Sequence, residues 1–509
     1  MQTTPNHSPL GGANGFLAAI DMGSNSFRLE IATIRHGRYR RLHYLKDSVR
    51  LGAGLDATGC LSEETMQRGL DCLSRFAVML RELSGVTVRA VATQTLREAR
   101  NREAFIARAE AVLGHRIEVI SGREEARLIY AGVSHLAPPS DGTRLVIDIG
   151  GRSTEMILGQ GYVPRTVESF QIGSVSLSMR YFPDGRFTEE GFRLAQIAAG
   201  AELEEAFSLF PRGSWDVAMG SSGTAGATAD LLASSGVTDG RITMPALRWA
   251  IEKCLKAGSF EQLQLPGLKP ERRAVLGGGL AILYTLCAQF GIEELLPAKG
   301  ALRQGVIFDL DERLSSAKPR ARNHDMRDES VKALQQRFGV DMAQSQRVGQ
   351  VAESLYAALE PSAEPEALRE LQWACALHEV GMVVSHHDHH RHSAYLMAHV
   401  DAPGFSQSQQ RALAELILAQ RGGLKKVDAA MSRAHFATRA LALRLAAILC
   451  HARQLTPHEE LGLAWAKPGK EVLLKVPKSW TERWPRTLFL LEQETSTWGH
   501  PFKLKLQRT

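Results

Sequence analysis

The sequence contains only six cysteines, and no two of them form a CxxC pair. A disulfide framework needs several cysteines at suitable spacings, whereas scattered ones are typical of reduced thiols in the cytosol. We therefore expect a cytoplasmic protein with free thiols. The cysteines are Cys60, Cys72, Cys254, Cys287, Cys375 and Cys450.

Signals for export and membrane insertion are also scarce. Residues 1–15 are polar and lack the basic-then-apolar pattern of a signal peptide, so we expect a disordered N-terminus. One uncharged run, of nineteen residues at 274–292, is long enough to span a bilayer. It contains the glycine triplet 277–279 and Gln289, which favours a buried helix that begins at a glycine turn. We therefore expect no stable membrane insertion.

Composition otherwise indicates an ordinary globular protein, with 44% hydrophobic and 23% charged residues. A length of 509 residues predicts about three to four domains. The net charge of +6 is uneven, since residues 404–509 hold 17 Lys and Arg against 8 Asp and Glu. This basic segment favours a polyanion partner such as a nucleic acid, a polyphosphate or an anionic membrane surface. A solvated basic face explains the charge equally well.

The most informative stretch is FLAAIDMGSNSFRLEI at residues 16–31, which predicts a strand, a tight polar turn and a returning strand. Successive N–H groups in a turn that contains Gly23 can form a nest for phosphate. The turn is formed by Gly23, Ser24, Asn25 and Ser26. Asp21, at the strand end, is placed to hold a divalent cation. Taken alone, an ordinary hairpin is the simpler interpretation.

The same pattern returns at residues 145–158, LVIDIGGRSTEMIL. Asp148, Gly150 and Ser153 repeat the spacing of the aspartate, glycine and serine in the first hairpin. Two phosphate-type hairpins in one chain suggest a duplicated fold with a ligand between its halves. Glu155, seven residues after Asp148, is placed to share a metal ion or to order water.

Two further residues stand at ends of predicted elements. Arg97 follows the predicted strand 87–93, where a guanidinium can bind phosphate oxygens, although a surface arginine is an equally simple explanation. Ser121 is a typical N-cap for the helix that follows it. Glu125 lies on the apolar face of that helix, so it is available as a general base. Stabilisation of its charge by the helix dipole is the alternative.

Strand and helix signals alternate to about residue 315, which is typical of α/β layers. The strand at 215–219 leads into a third small-residue loop of the anion-binding type, 220–224, which includes Ser222, Gly223 and Thr224. Residues 316–455 have only helical periodicity. Residues 456–509 return to alternation and predict a small β-rich domain with strands at 471–476, 486–491 and 502–506.

These motifs resemble the bacterial exopolyphosphatase and guanosine pentaphosphate phosphohydrolase family of the actin–Hsp70–sugar-kinase superfamily. The matching stretches are AAIDMGSNSFRLEIA, ATQTLREA, ISGREEARLIYAGV, LVIDIGGRSTE, MGSSGT, GLAIL and KGALRQGV. Residues 316–509 resemble the later domains of the long members through LHEVG, HRHSAY and DAPGF.

The resemblance implies an α/β fold class with two duplicated actin-like, ribonuclease H-like domains. An all-α HD-like domain and the small β-rich C-terminal domain follow. The implied ranges are 16–133 for actin-like domain I, 134–315 for domain II, 316–455 for the HD-like domain and 456–509 for the C-terminal domain. It also implies an elongated homodimer that depends on Mg2+ or another divalent cation.

By the same resemblance, Glu125 matches the catalytic base. The matching phosphate contacts are Asn25, Ser26, Arg97, Gly150, Gly151, Arg152, Ser153 and Thr154. Asp148 and Glu155 match acidic residues near the metal. Arg152 replaces a residue that is usually small, and His378 is followed by Glu379 instead of the aspartate of HD enzymes. The histidine tract at 386–392 therefore gives only a weak indication of a second metal site.

The leading functional hypothesis is processive hydrolysis of the terminal phosphate of inorganic polyphosphate, with no nucleic-acid partner. The alternative is removal of the 5′ terminal phosphate of guanosine pentaphosphate, pppGpp, and a non-catalytic sensor of phosphate-rich ligands is a third possibility. For the first hypothesis, we expect the basic segment to hold the distal polymer. The candidate polymer track consists of Arg421, Lys425, Lys426, Arg433, Arg439 and Lys475.

Overall fold

The structure, a computed structural model, describes residues 15–35, 37–316, 325–454 and 456–509. The predicted disordered segment at 1–15 therefore lies almost entirely outside the described residues. The chain divides into two compact units, residues 1–315 and 316–509. Each unit is described separately below.

The first half of unit 1 is built on a five-stranded sheet in the order β3-β2-β1-β4-β5. Its first three strands pair antiparallel, and β1, β4 and β5 pair parallel. The strands are β1 (Phe16–Met22), β2 (Phe27–Arg35), β3 (Arg38–Asp47), β4 (Val86–Ala92) and β5 (Ile117–Val119). The helices are α1 (Glu63–Arg81), α2 (Gln94–Glu98), α3 (Arg102–Leu113) and α4 (Gly122–Leu136).

The second half of unit 1 repeats this plan with one extra edge strand, in the order β10-β11-β9-β6-β7-β8. The strands are β6 (Thr143–Ile149), β7 (Thr154–Gln160), β8 (Val163–Phe170), β9 (Val217–Ser221), β10 (Ile242–Thr243) and β11 (Glu294–Pro297). The helices are α5 (Ser174–Tyr181), α6 (Glu189–Leu203), α7 (Ser222–Ser234), α8 (Met244–Ala257), α9 (Pro270–Phe290) and α10 (Leu302–Ser316). The predicted duplication is confirmed, because β8-β7-β6-β9-β11 reproduces the order and directions of the first sheet.

Helix α9 contains the long uncharged run. By length and composition it could cross a membrane, but 67% of its most apolar window is buried inside the protein, as expected for a core helix. The prediction of a glycine turn at 277–279 is wrong, since these residues lie inside the helix. A Cβ on Gly278 would lie 2.4 Å from the carbonyl oxygen of Ser174, and one on Gly279 would lie 2.7 Å from Thr224. The glycines therefore allow α5 and α7 to pack closely against α9.

The two halves of unit 1 share a buried cluster between their sheets. Leu17 of β1, Val146 of β6 and residues of α4 and α10 belong to it. Buried ion pairs connect the same elements: Arg127 of α4 contacts Asp309 of α10 at 2.5 Å, and Arg89 of β4 contacts the other oxygen of Asp309 at 2.5 Å. Breaking one partner of such a pair leaves an uncompensated buried charge, so the network holds α4 firmly in place.

Unit 2 is mainly helical, as predicted. Its helices are α11 (Met326–Arg337), α12 (Met342–Leu359), α13 (Pro365–Leu377), α14 (His389–His399), α15 (Gln407–Ala419), α16 (Asp428–Met431), α17 (Phe436–Leu449), α18 (Lys478–Arg483) and α19 (Pro485–Thr495). Short 3-10 turns occur in the chain at Leu51–Gly54, Glu204–Phe207, Val380–Val383, Leu424–Val427 and His458–Glu460.

A three-stranded sheet, in the order β12-β13-β14, completes unit 2. Its strands are β12 (Gly462–Lys467), β13 (Glu471–Val476) and β14 (Lys503–Arg508). The predicted strand at 486–491 is wrong, because this segment belongs to α19. Leu488 and Leu491, three residues apart, are buried, whereas Phe489 is 57% exposed, and that spacing is helical. Helices and sheet share one buried hydrophobic cluster.

Candidate active site

The two predicted phosphate turns meet in unit 1. The β1–β2 turn, the β6–β7 turn and the start of α7 line one cavity of about 80 Å3. A Cβ on Gly23 would lie 3.2 Å from the carbonyl oxygen of Ser26, and one on Gly150 would lie 3.2 Å from that of Ser153. The two turns therefore have the same close backbone geometry. The predicted residues in the lining are Asp21, Gly23, Ser24, Asn25, Ser26, Glu125, Asp148, Gly150, Gly151, Ser153, Ser222, Gly223 and Thr224.

Glu125 enters this cavity from the first turn of α4. The helix begins at Ser121, whose hydroxyl accepts the backbone N–H of Glu124 at 3.1 Å. Burial raises the pKa of Glu125 to about 7, against the opposing effect of Arg97, while Asp21 and Asp148 raise it further. A carboxylate that changes its protonation state near neutral pH is well suited to general-base catalysis.

Arg97 acts on this carboxylate directly. Its Nη1 donates to Glu125 Oε2 at 2.8 Å and to the carbonyl oxygen of Ile120 at 3.0 Å. Its Nε and Nη2 donate to Gln94 Oε1 at 2.9 and 2.6 Å. Arg97 is not among the described residues that line the cavity. The contact with Glu125 is suited to positioning that carboxylate, and the phosphate contact suggested by the sequence stays a prediction.

The predicted metal ligands are buried carboxylates with different surroundings. Asp21 Oδ2 lies 3.1 Å from Arg28 Nη1 and 3.5 Å from Arg303 Nη1. Burial raises the pKa of Asp148, and Asp21 adds to the rise, although hydrogen bonds from Ser222 and Ser221 oppose it.

Glu155 lies one strand further from the cavity. Burial raises its pKa well above the usual range, and the charges of Glu125 and Asp148 add to the effect. Ser169 Oγ donates to its Oε1 at 2.9 Å. Like Arg97, it is outside the cavity lining that the described residues form.

This group of acids fits a divalent cation in part. Burial is the main cause of the raised pKa values of Asp148, Glu155 and Glu125, and neighbouring carboxylates add to each of them. A cation bound near these acids would stabilise their charged forms. Among the described residues, no group of three or more His, Cys, Asp or Glu is arranged to hold a metal ion alone. Mg2+ commonly binds through one or two carboxylates together with substrate phosphates and water, and two carboxylates, Asp21 and Asp148, line the cavity.

Two other predicted phosphate contacts are engaged elsewhere. Arg152 Nη2 and Nε donate to Glu98 Oε2 at 2.8 and 3.1 Å, which joins the second turn to α2 of the first half. Thr154 Oγ1 donates to the carbonyl oxygen of Ile172 at 2.6 Å and is fully buried. Among the described residues, neither belongs to the cavity lining.

A second cavity of about 240 Å3 adjoins the first and shares several residues with it. Its basic residues are Arg28, Lys46, Arg272, Lys299 and Arg303, none of which was predicted from sequence as a site residue. We call these five residues and Tyr44 the basic annex. Desolvation and the neighbouring Arg272 and Arg28 lower the pKa of Lys46, which shows how concentrated the positive charge is. Only the position of Arg28 was accessible from sequence, because the hairpin register places it opposite Asp21.

The predicted polymer track in unit 2 is uneven. Arg421, Lys425 and Lys475 are exposed. Lys426 donates to the backbone carbonyl of Arg421, and Arg433 pairs with Glu415. Arg439 is buried and pairs with Glu370, which argues against a role for it on an open track.

The chain is similar to known proteins over almost its whole length. The sequence model of the Ppx/GppA phosphatase family matches residues 30–314, and that of Ppx/GppA phosphatase, domain III, matches residues 326–495. A guanosine-5′-triphosphate,3′-diphosphate pyrophosphatase of Photobacterium profundum is 36% identical over 483 residues, 94% of this chain and 95% of the relative. A Vibrio cholerae protein of the same name is 36% identical over 486 residues, with 94% and 95% covered.

Among solved structures, an exopolyphosphatase from Cytophaga hutchinsonii is similar with a TM-score of 0.53 and 26% identity. The match covers 60% of this chain and 99% of that one. The predicted duplicated actin-like fold followed by a helical domain is confirmed by these matches together with the sheet topology. Family membership follows from the extent and identity of the matches: the chain belongs to the Ppx/GppA phosphatase family.

Proposed function

We propose that the chain removes the 5′ terminal phosphate of guanosine 5′-triphosphate 3′-diphosphate. Two relatives that match 94% of the chain are named as pyrophosphatases of this nucleotide, which supports it as the substrate over polyphosphate. The structural observation that carries the proposal is Glu125, a buried carboxylate with a pKa of about 7 that lines a cavity formed by two phosphate-type turns. Pure phosphate binding would gain nothing from such a carboxylate.

In this reaction, a water oxygen attacks the terminal phosphorus while Glu125 accepts the water's proton. The bond between that phosphorus and the bridging oxygen breaks, and the oxygen leaves on the remaining nucleotide. Phosphoryl transfer depends mainly on positioning and charge stabilisation. The backbone N–H groups of the two turns would hold the terminal phosphoryl group. Asp21 and Asp148 would hold a divalent cation, which when bound offsets charge on the phosphate oxygens.

The basic annex would hold the rest of the nucleotide. A cavity of 80 Å3 suits a phosphoryl group, and the adjoining cavity of 240 Å3 shares lining residues with it. The guanidinium of Arg272 lies against Gly223 in the first turn of α7. A Cβ on Gly223 would be only 2.0 Å from Arg272 Nη2. Arginine and lysine side chains suit the remaining phosphates. The Tyr44 ring is already in contact with the guanidinium groups of Arg41 and Arg303, whose carbons lie 5.4 and 5.3 Å from its centroid.

Hydrolysis of inorganic polyphosphate is the second candidate. The net charge of +9 in residues 404–509 and the similarity to an exopolyphosphatase structure favour it. The paired states of Arg433 and Arg439 count against a continuous track.

One preparation assayed with both substrates tests the proposal. We expect a larger kcat/KM for the pentaphosphate than for long polyphosphate, with phosphate released into water. Replacing Arg272 by Ala should raise KM for the nucleotide by about tenfold, the effect of losing a charged hydrogen bond. Exposed Arg248 of α8 is the control for that change. A preference for polyphosphate would contradict the proposal and support the second candidate.

A further inference from the structure

Unit 2 contains a large cavity that the proposed reaction does not use. Its volume is about 420 Å3, within the range of small-molecule sites. Side chains from the histidine tract, from α17 and from α19 line it. We call it the histidine cavity.

The charges in the histidine cavity favour an anion. Arg421 and Arg453 line it together with one acid, Glu379. Glu379 is already paired with Arg453 at 2.7 Å. Within the described part of the chain, the guanidinium of Arg421 has no hydrogen-bond or ion-pair partner, and only its backbone carbonyl is engaged. A free guanidinium in a cavity is a typical bidentate site for phosphate.

The histidines add hydrogen-bond acceptors. The Nδ1 atoms of His378 and His451 lie 2.7 and 2.8 Å from the backbone carbonyls of Cys375 and Ile448. A ring nitrogen next to a carbonyl donates, so the Nε2 atom of each neutral ring is left to accept. His389 also lines the cavity and is only 7% exposed, yet its Nδ1 lacks a partner among the described residues. Burial lowers the pKa of His378 and of His389, which keeps both rings neutral at neutral pH.

The larger apolar residues that line the histidine cavity are Met382, Ile448 and Leu490. We call these three residues its apolar wall. Such a wall suits the flat face of a base, and the histidine acceptors suit hydroxyl or amino protons. A bare metal ion matches these features poorly, because no cluster of three or more ligating side chains occurs among the described residues and arginine adjoins the histidines.

We propose that the histidine cavity is a second, non-catalytic binding site for a nucleoside phosphate, with the phosphate on Arg421 and the base against the apolar wall. This site is separate from the cavity that contains Glu125, and its occupancy does not depend on the proposed function.

Equilibrium dialysis of the full-length chain with GDP tests the proposal. We expect Arg421→Ala to lose one class of GDP site, or to weaken it by about tenfold or more. Leu490→Trp, which fills the apolar side of the cavity, should lose the same class. Arg337→Ala removes the same charge from an exposed position of unit 2 outside the cavity, so it should bind like the wild type.

Pyrophosphate and guanosine, each used alone, are the matched probes. Both should bind the Arg421-dependent site more weakly than GDP, because each reaches only part of it. Arg421 is exposed, so its replacement should leave the thermal unfolding midpoint unchanged and keep the comparison valid. GDP binding by Arg421→Ala with the stoichiometry and affinity of the wild type would overturn the proposal. Pyrophosphate binding as tight as that of GDP would overturn the nucleoside part.

Discussion

The two hairpins of unit 1 are alike in backbone but differ in the charge of the residue that lies opposite the aspartate. In the first, the strand register places Arg28 opposite Asp21, and Arg303 adds a second cation at 3.5 Å. In the second, the same register places Glu155 opposite Asp148. The first aspartate therefore has its charge balanced by the protein, whereas the second faces another acid.

Because of this difference, the two halves of unit 1 present different charges to the cavity. A balanced aspartate leaves Arg28 and Arg303 near the cavity to meet substrate charge. Burial raises the pKa of Asp148, and a cation from outside the protein would stabilise its charged form. The two turns are alike, and the residue paired with the aspartate differs: Arg28 lies opposite Asp21, and Glu155 lies opposite Asp148.

The largest expected effect comes from the residue between the hairpins. We predict that Glu125→Gln lowers kcat by about a hundredfold or more while substrate binding is retained, because the amide cannot accept the water's proton. Glu189→Gln makes the same change in the first turn of α6, at an exposed position, and should have no effect. Steady-state kinetics with a binding assay measure both. Wild-type turnover by Glu125→Gln would remove Glu125 from the mechanism.

The next effect compares the two aspartates directly. We predict that Mg2+ raises the thermal unfolding midpoint of the wild type and that Asp148→Asn abolishes the rise. A ligand at a hundred times its Kd stabilises the folded state by about 2.7 kcal/mol, a shift of several degrees. Without metal, Asp148→Asn should unfold at or above the wild-type temperature, since it removes a repelled buried charge. Asp21→Asn should instead destabilise the metal-free protein, because Arg28 loses its ion-pair partner and Arg303 keeps only Glu30.

Titration of Glu125 gives the third prediction. With a pKa of about 7, its basic form is lost as pH falls below neutrality, so kcat/KM should fall on the acidic side with an apparent pKa near 7. Arg97→Met should move this limb to higher pH, because Arg97 holds the pKa down. A purely structural effect of that substitution would lower the rate without moving the limb.

The stability of the folded state should also depend on the titration of Glu125, but it should fall as pH rises, whereas activity increases. The folded pKa of Glu125 lies above its ordinary value of 4.5, so the folded state binds the proton more tightly. Its contribution is present at low pH and is lost as pH rises through about 7. In Glu125→Gln, this part of the pH dependence should be absent from the unfolding midpoint.

Local sequence patterns were enough to predict the hairpins, the duplication and the position of Glu125 on the inward face of its helix. Each of these depends on residues that are close together in sequence. The basic annex was not predictable in this way, because Arg28, Arg272 and Arg303 come from three separate elements. Arg97 and Arg152 suit phosphate by chemistry, but folding gave each a nearby carboxylate. The segment 486–491 is too short for its period to distinguish strand from helix, and only its packing decides.

The smallest expected effect concerns Arg152, which joins the second hairpin to the first half through Glu98. The two side chains are 25% and 31% exposed, so solvent screens the pair. Such pairs contribute about 0.2 to 1 kcal/mol. We predict a coupling in this range from a double-mutant cycle of Arg152→Ser and Glu98→Gln, measured by denaturant unfolding, and a change in kcat/KM of about threefold or less.

Additive effects on stability together with a large loss of affinity in Arg152→Ser alone would mean that Arg152 leaves Glu98 to contact the substrate. The second hairpin would then supply its own cation, and the contrast in charge between the two halves would not persist in the bound state.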